Sequence, residues 1–127
     1  MDKVVITSKK APQPIGPYSV AIQTGLLVFT SGQLGLEPAS GNLVPGGVEA
    51  ETRQVLTNLQ HVLEDAGSGL DRAIKTTVFL KDMADFQKMN AIYGEFFQEN
   101  PPARSTVQVA ALPKGGTVEI EVIATLK

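Results

Sequence analysis

PPARSTVQVAALPKGGTVEIE, residues 101–121, divides into a stop, a strand, a turn and a second strand. The pair Pro101-Pro102 ends any preceding helix, because proline has no N–H to donate and its ring clashes with the turn before it. Residues 105–109 then alternate polar and β-branched side chains, the period of a strand. Leu112-Pro113-Lys114-Gly115-Gly116 is turn chemistry, and residues 118–126 return as a further strand. Arg104 stands at the mouth of the first strand and Glu119 near the start of the second. A guanidinium and a carboxylate are therefore expected at one end of a sheet, where they can hold a small acid and a water side by side.

Working back from Pro101, residues 86–97 place Phe86, Met89, Ile92, Tyr93, Phe96 and Phe97 at helical spacing. Asp82 reads as the N-cap, with Asp85 three residues later in the manner of a capping box. Residues 71–81 predict a strand with Ile74, Thr76, Val78 and Leu80 on one face. Before it, Val48, Val55, Leu56, Leu59, Val62, Leu63 and Ala66 form the stripe of a helix over 48–66. Glu49 and Glu51 suit the positive end of its dipole, and Gly67 its left-handed stop. Residues 37–47 are a turn-rich connection. The continuous apolar run 26–30 predicts a strand buried on both faces, ended by Ser31-Gly32-Gln33. Residues 18–24 predict its hairpin partner, 9–17 an extended proline-rich loop, and 4–7 a short edge strand.

The order is strand, strand, strand, helix, strand, helix, strand, strand, which predicts an α+β fold. It is a mixed sheet with crossover helices on one face, antiparallel hairpins at both ends, and a single domain over 1–127. Two helices cover one face only. Leu26 to Phe29, Val78-Phe79 and Val122-Ile123 point apolar groups both ways, which leaves the other face apolar too, and a symmetric oligomer is the economical cover.

Composition bounds the chemistry. The chain has 127 residues, 43% hydrophobic and 19% charged, a globular balance. Net charge is −2, which argues against a nucleic-acid binder with a basic face. With no cysteine, disulfides and thiolate chemistry are excluded. The lone His61 argues against a histidine metal cluster or a conventional serine–histidine triad. No run reaches the roughly 18 apolar residues of a membrane span, and the N-terminal MDKVVITSKKAPQP lacks the apolar centre of a signal peptide. The expectation is a cytoplasmic protein.

Each candidate residue also has a plain structural reading. Arg104 is either a surface arginine or a fork for a carboxylate. Glu119 and Glu121 share a strand face that solvent alone would explain. Tyr18 could be packing, Ser31-Gly32 a tight turn, and Asn90 a structural amide. His61 lies off the apolar stripe and reads as a surface residue. Gly46-Gly47 lacks the spacing of a phosphate cradle.

Several segments together resemble the Rid family, the reactive intermediate deaminases (YjgF/YER057c/UK). They are IGPY at 15–18, TSGQ at 30–33, KTTVFL at 75–80, PARS at 102–105, ALPK at 111–114 and VEIE at 118–121. The resemblance implies a chorismate mutase-like fold assembled as a homotrimer, with a site in each cleft between subunits. It implies hydrolysis of enamines and imines, such as 2-aminoacrylate and its imine tautomer, to a 2-keto acid and ammonium. It implies no cofactor and no metal. Carried over by position, Arg104 binds the substrate carboxylate and Glu119 positions or activates water. Tyr18, Ser31, Gly32, Asn90 and Thr106 line the cleft. Some members carry cysteine where this chain has Thr106; that position is read as contributing its backbone N–H.

The chemistry agrees. A guanidinium takes a carboxylate bidentately, and one carboxylate can relay a proton between water and nitrogen. Two other functions share parts of this reading. A ligand-binding regulatory trimer uses the same carboxylate clamp without turnover. A ribonuclease or translation inhibitor, an activity reported for some relatives, fits poorly with the acidic balance.

Overall fold

Helix α1 (Gly47–Asp65) forms where the apolar stripe predicts it, and Val48, Val55, Leu56, Leu59, Val62 and Leu63 are all buried. It ends at Gly67, whose φ of 84° is the left-handed conformation glycine adopts without strain. Glu49 occupies the first turn. Glu51 does not face the solvent at the dipole: it is buried, and Oε1 accepts the N–H of Thr117 at 2.8 Å, tying α1 to the turn before the last strand. Helix α2 (Phe86–Phe96) buries Met89, Ile92 and Tyr93. Asp82 caps the single 3₁₀ turn Met83–Asp85 by accepting the N–H of Ala84 at 2.9 Å. The capping box does not form, because that turn intervenes and the Asp85 side chain makes no cap bond.

These are features of the computed structural model, which describes residues 1–127. Seven strands complete it: β1 (Val4–Ile6), β2 (Ala21–Thr24), β3 (Leu27–Thr30), β4 (Gln33–Leu34), β5 (Ala73–Leu80), β6 (Ala103–Gln108) and β7 (Val118–Thr125). They form one mixed sheet in the order β1-β2-β3-β7-β5-β6, with β4 also on β7. The hairpin expected at the N-terminal end is present as β2–β3. The one expected at the C-terminal end is not. β6 pairs only with β5, in parallel across the α2 crossover, and β7 inserts between β3 and β5, antiparallel to both. The apolar run in β7 gains two ladders that way, where an edge hairpin would give it one.

The core lies between the sheet and both helices. Val28, Val78, Leu80, Val118, Ile120, Val122 and Ala124 pack in one cluster with α1 and α2. Ile74 is not part of it. The register slips between Ala73 and Lys75, and Ile74 bulges outward, 47% exposed. The opposite sheet face carries Phe29, Ile123, Phe79 and Val107 across adjacent strands, together with Lys75, Thr77 and Glu121. Nothing in the chain covers it. No helix is long and apolar enough to cross a membrane.

One irregularity organises the site. Phe29 pairs with Ile123 and Gln33 with Ile120, so four steps on one side match three on the other. The extra residue is a β-bulge at Thr30–Gly32, in place of the expected turn, and the chain continues along β7 as β4. The bulge breaks the ladder locally. Thr30 compensates by accepting the N–H of Val122 on its hydroxyl at 3.0 Å.

Candidate active site

The first group of candidate residues gathers beside this bulge. Glu119 projects from β7 onto the open sheet face, opposite Leu34 and Phe79. A Cβ built on Gly32 would overlap Glu119 Oε1 and lie 2.8 Å from its Cδ. Glycine is thus required so that the carboxylate can lie against the backbone. Burial pushes the Glu119 carboxyl above the usual carboxylate range, and the neighbouring negative charge of Glu121 adds to the rise. Ser31 Oγ donates to the carbonyl of Ser19 at 2.6 Å, which pins the bulge to the incoming loop. Tyr18 lies in that loop, not in β2, because its N–H closes a tight turn onto the Gly16 carbonyl at 2.8 Å. It is 50% exposed. Tyr18, Ser31, Gly32 and Glu119 all line one cavity of about 340 Å³, whose apolar wall includes Ile15, Val20 and Leu36. Lys114 lines it too. Its φ is 58°, and its Nζ donates to the Gly41 carbonyl at 2.9 Å.

The second group lies elsewhere. Strand β6 begins two residues earlier than the alternation suggests, so Arg104 is inside the strand and not at its mouth. It pairs with Thr76, which faces α2, and Arg104 therefore faces α2 as well. Its Nη1 donates to Asn90 Oδ1 at 2.8 Å. The guanidinium carbon sits 4.7 Å from the Tyr93 ring centroid and 5.5 Å from that of Phe86. Thr106 follows on the same strand face, with Oγ1 buried and without a hydrogen-bond partner.

Arg104 and Glu119 do not meet within one chain. They occupy opposite faces of the sheet. Two inter-strand spacings and three residues of rise separate them, roughly 14 Å between Cα atoms. The expectation of guanidinium and carboxylate side by side at one sheet end fails for a single copy. Strand parity decides the face, and the parity of β6 is set by its parallel pairing with β5, not by its own sequence. No three of the chain's His, Asp or Glu side chains are grouped to hold a metal ion.

The sequence profile described as endoribonuclease L-PSP matches residues 8–126. This chain belongs to that family, the YjgF/RutC/Rid family. A Rid relative from Mus musculus, named 2-iminobutanoate/2-iminopropanoate deaminase, is 53% identical over 120 residues, covering 94% of this chain and 89% of the relative. Among solved structures, one named as an endoribonuclease L-PSP from Entamoeba histolytica has a TM-score of 0.95 at 46% identity. It covers 98% of this chain and 100% of that one. The E. coli TdcF structure with bound serine has a TM-score of 0.93 at 40% identity, covering 98% and 99%. The mixed sheet with two helices is the architecture of these Rid structures.

Within this Rid-family chain, sequence reasoning missed Lys114, Tyr93 and Phe86 as neighbours of the candidate residues. Lys114 was hidden inside turn chemistry. The two aromatics fell on the apolar stripe of α2, where core packing explains them. Asn90 carried a usable signal, a polar residue between core positions, and its amide is what Arg104 rests against.

Proposed function

We propose that this protein is a hydrolytic deaminase of small 2-imino acids, including the imine tautomer of 2-aminoacrylate, and that it works as a homotrimer. The observation that carries the reading is the split of its chemistry into two halves. One half, Arg104 with Asn90 and Thr106, is a cationic clamp on edge strand β6. The other, Glu119 with Tyr18, Ser31 and Gly32, is an acid–base pocket beside an uncovered apolar sheet face. Neither suffices alone, and a neighbouring copy supplies the missing half. A chorismate mutase-like trimer, each copy one domain over 1–127, would bury the face that carries Phe29 and Ile123. Curated relatives at about this identity are named 2-iminobutanoate/2-iminopropanoate deaminase. A cytoplasmic location is proposed with this activity.

In the proposed reaction, Arg104 takes the carboxylate with in-plane N–H donors. Water attacks the iminium carbon, and the C=N π electrons move to nitrogen. Glu119 accepts a proton from the attacking water and passes it to nitrogen. Collapse of the tetrahedral intermediate then forms the keto C=O and breaks the C–N bond, releasing ammonium. An enamine substrate first takes a proton from solvent water at its β-carbon, its C=C electrons forming the new C–H bond and the nitrogen lone pair forming the C=N bond of the iminium. A carboxyl raised toward neutrality suits this work, because catalysis is best when the group's pKa approaches the working pH.

The test is release of ammonia and keto acid when 2-aminoacrylate is generated enzymatically in the presence of the protein. Light scattering at micromolar concentration should give three times the chain mass; a monomer would remove the composite site. Keto-acid binding without any turnover would instead favour the regulatory trimer, a reading supported by the serine held in TdcF. Salt-dependent binding of single-stranded RNA would favour the ribonuclease reading.

A further inference from the structure

We infer that Tyr93, locked by Thr76 and Phe97, is a positioning residue that holds the Arg104 guanidinium in place for the substrate carboxylate. The inference rests on the deaminase reading of Arg104 and extends it to side chains that touch no substrate.

Arg104 emerges from β6 at the sheet edge, bonded on one side only, and an arginine there has many rotamers to lose before it can bind. Two restraints act on it. Asn90 Oδ1 takes one N–H, leaving four of the five donors of the fork without a partner in the chain. The Tyr93 ring, 4.7 Å away, attracts the cation through its negative face, and Phe86 adds a second ring at 5.5 Å. A ring attracts over a broad area, so Tyr93 sets where the guanidinium lies, and the Asn90 bond sets its rotation.

The ring is itself fixed. Tyr93 is 5% exposed, and its hydroxyl shares a 2.7 Å hydrogen bond with Thr76 Oγ1, which is fully buried. Phe97 packs on Tyr93 with centroids 4.5 Å apart, tilted by 36°. Thr76 is also the residue that pairs with Arg104 across the β5–β6 ladder. The strand residue beside Arg104 therefore holds the ring that holds its side chain. Substrate binding to an arginine so ordered loses less side-chain entropy.

The experiment compares Tyr93→Leu and Tyr93→Phe with wild type in steady-state kinetics, and in calorimetric binding of 2-oxobutanoate. The leucine variant loses the ring, and the phenylalanine variant only the hydroxyl. Expected is a rise of about 5- to 30-fold in KM and in keto-acid Kd for Tyr93→Leu. The change in kcat should be much smaller, and Tyr93→Phe should recover most of the lost affinity. In an Arg104→Ala background the leucine change should add nothing to Kd, since the ring then has no cation to hold. A merely structural Tyr93 would lower Tm in both backgrounds and leave KM unmoved, which overturns the inference. Should Tyr93→Leu fail to fold, Phe86→Leu tests the same cradle with a smaller rise in KM, and an unchanged KM there is equally fatal. Failure of the underlying reading looks different: Arg104→Ala itself would then leave Kd and turnover intact.

Discussion

Substituting Gly32 by alanine is the most direct probe of the Glu119 pocket, because the added methyl lands on the carboxylate. Carbon–carbon contacts settle at about 3.5–4.0 Å, and the new Cβ would stand 2.8 Å from Glu119 Cδ and 3.0 Å from Cγ. The carboxyl group must therefore retreat by about 1 Å. A displacement of that size at a reacting group costs on the order of 10²-fold in rate. The backbone has no objection, since Gly32 is not among the residues with positive φ. Alanine also reduces the freedom of the unfolded chain, worth about 0.4–1 kcal/mol in favour of the native state. The overlapping atoms belong to the end of a partly exposed side chain that can swing aside. Expected, then, is a fall of about 100-fold in kcat for ammonia release, with Tm close to wild type and keto-acid Kd little changed. Turnover at the wild-type rate would refute the claim that the carboxylate works from its position against Gly32. Loss of Tm together with rate would show that the overlap strikes the fold and not a movable side chain.

Glu119→Gln should lower turnover by about 10²–10⁴-fold, while Glu121→Gln, two residues along the same face, stays near wild type; normal turnover in both would return Glu119 to the role of a solvated surface carboxylate. The raised Glu119 pKa also has a sign in stability. Between the ordinary glutamate value and the raised one, the native chain binds more protons than the unfolded chain, so stability falls as pH rises through that window. Glu119→Gln should abolish this slope in Tm against pH and be no less stable at neutral pH, and an unaltered slope would place the shift elsewhere. Arg104→Lys should fold and lose most activity, because charge remains without the bidentate fork. Arg104→Ala should lose on the order of 2–5 kcal/mol of ligand binding, and near-normal turnover there would make Arg104 merely structural.

The helices were legible because burial on one side stamps a 3.6-residue period on the chain, and Val55, Leu56, Leu59, Val62 and Leu63 carry it plainly. Arg104 and Glu119 were legible as chemistry but not as geometry. A one-residue slip in how β6 registers against β5 would leave its composition untouched, yet it would turn Arg104 to the other face of the sheet. The bulge at Thr30–Gly32 was hidden for a similar reason: Ser-Gly reads equally well as a turn or as a kink that stays within the sheet. Ile74 looked like its neighbours in β5, and only the register slip against β7 turns it outward. The pairing of β7 with β5 is a long-range choice between candidate partners, on which local pattern is silent.

The placement of β7 and β6 in the sheet also gives the two halves of the proposed site unequal protection. β7 is bonded along both flanks, so the amides around Glu119 open only with most of the sheet. β6 is held along one flank alone, and half of its backbone groups face outward unpaired. In an isolated copy those amides are expected to exchange with solvent before the ones around Glu119. If the proposed assembly brings a neighbouring copy against the Arg104 strand, deuterium uptake along β6 falls when a copy acquires that neighbour.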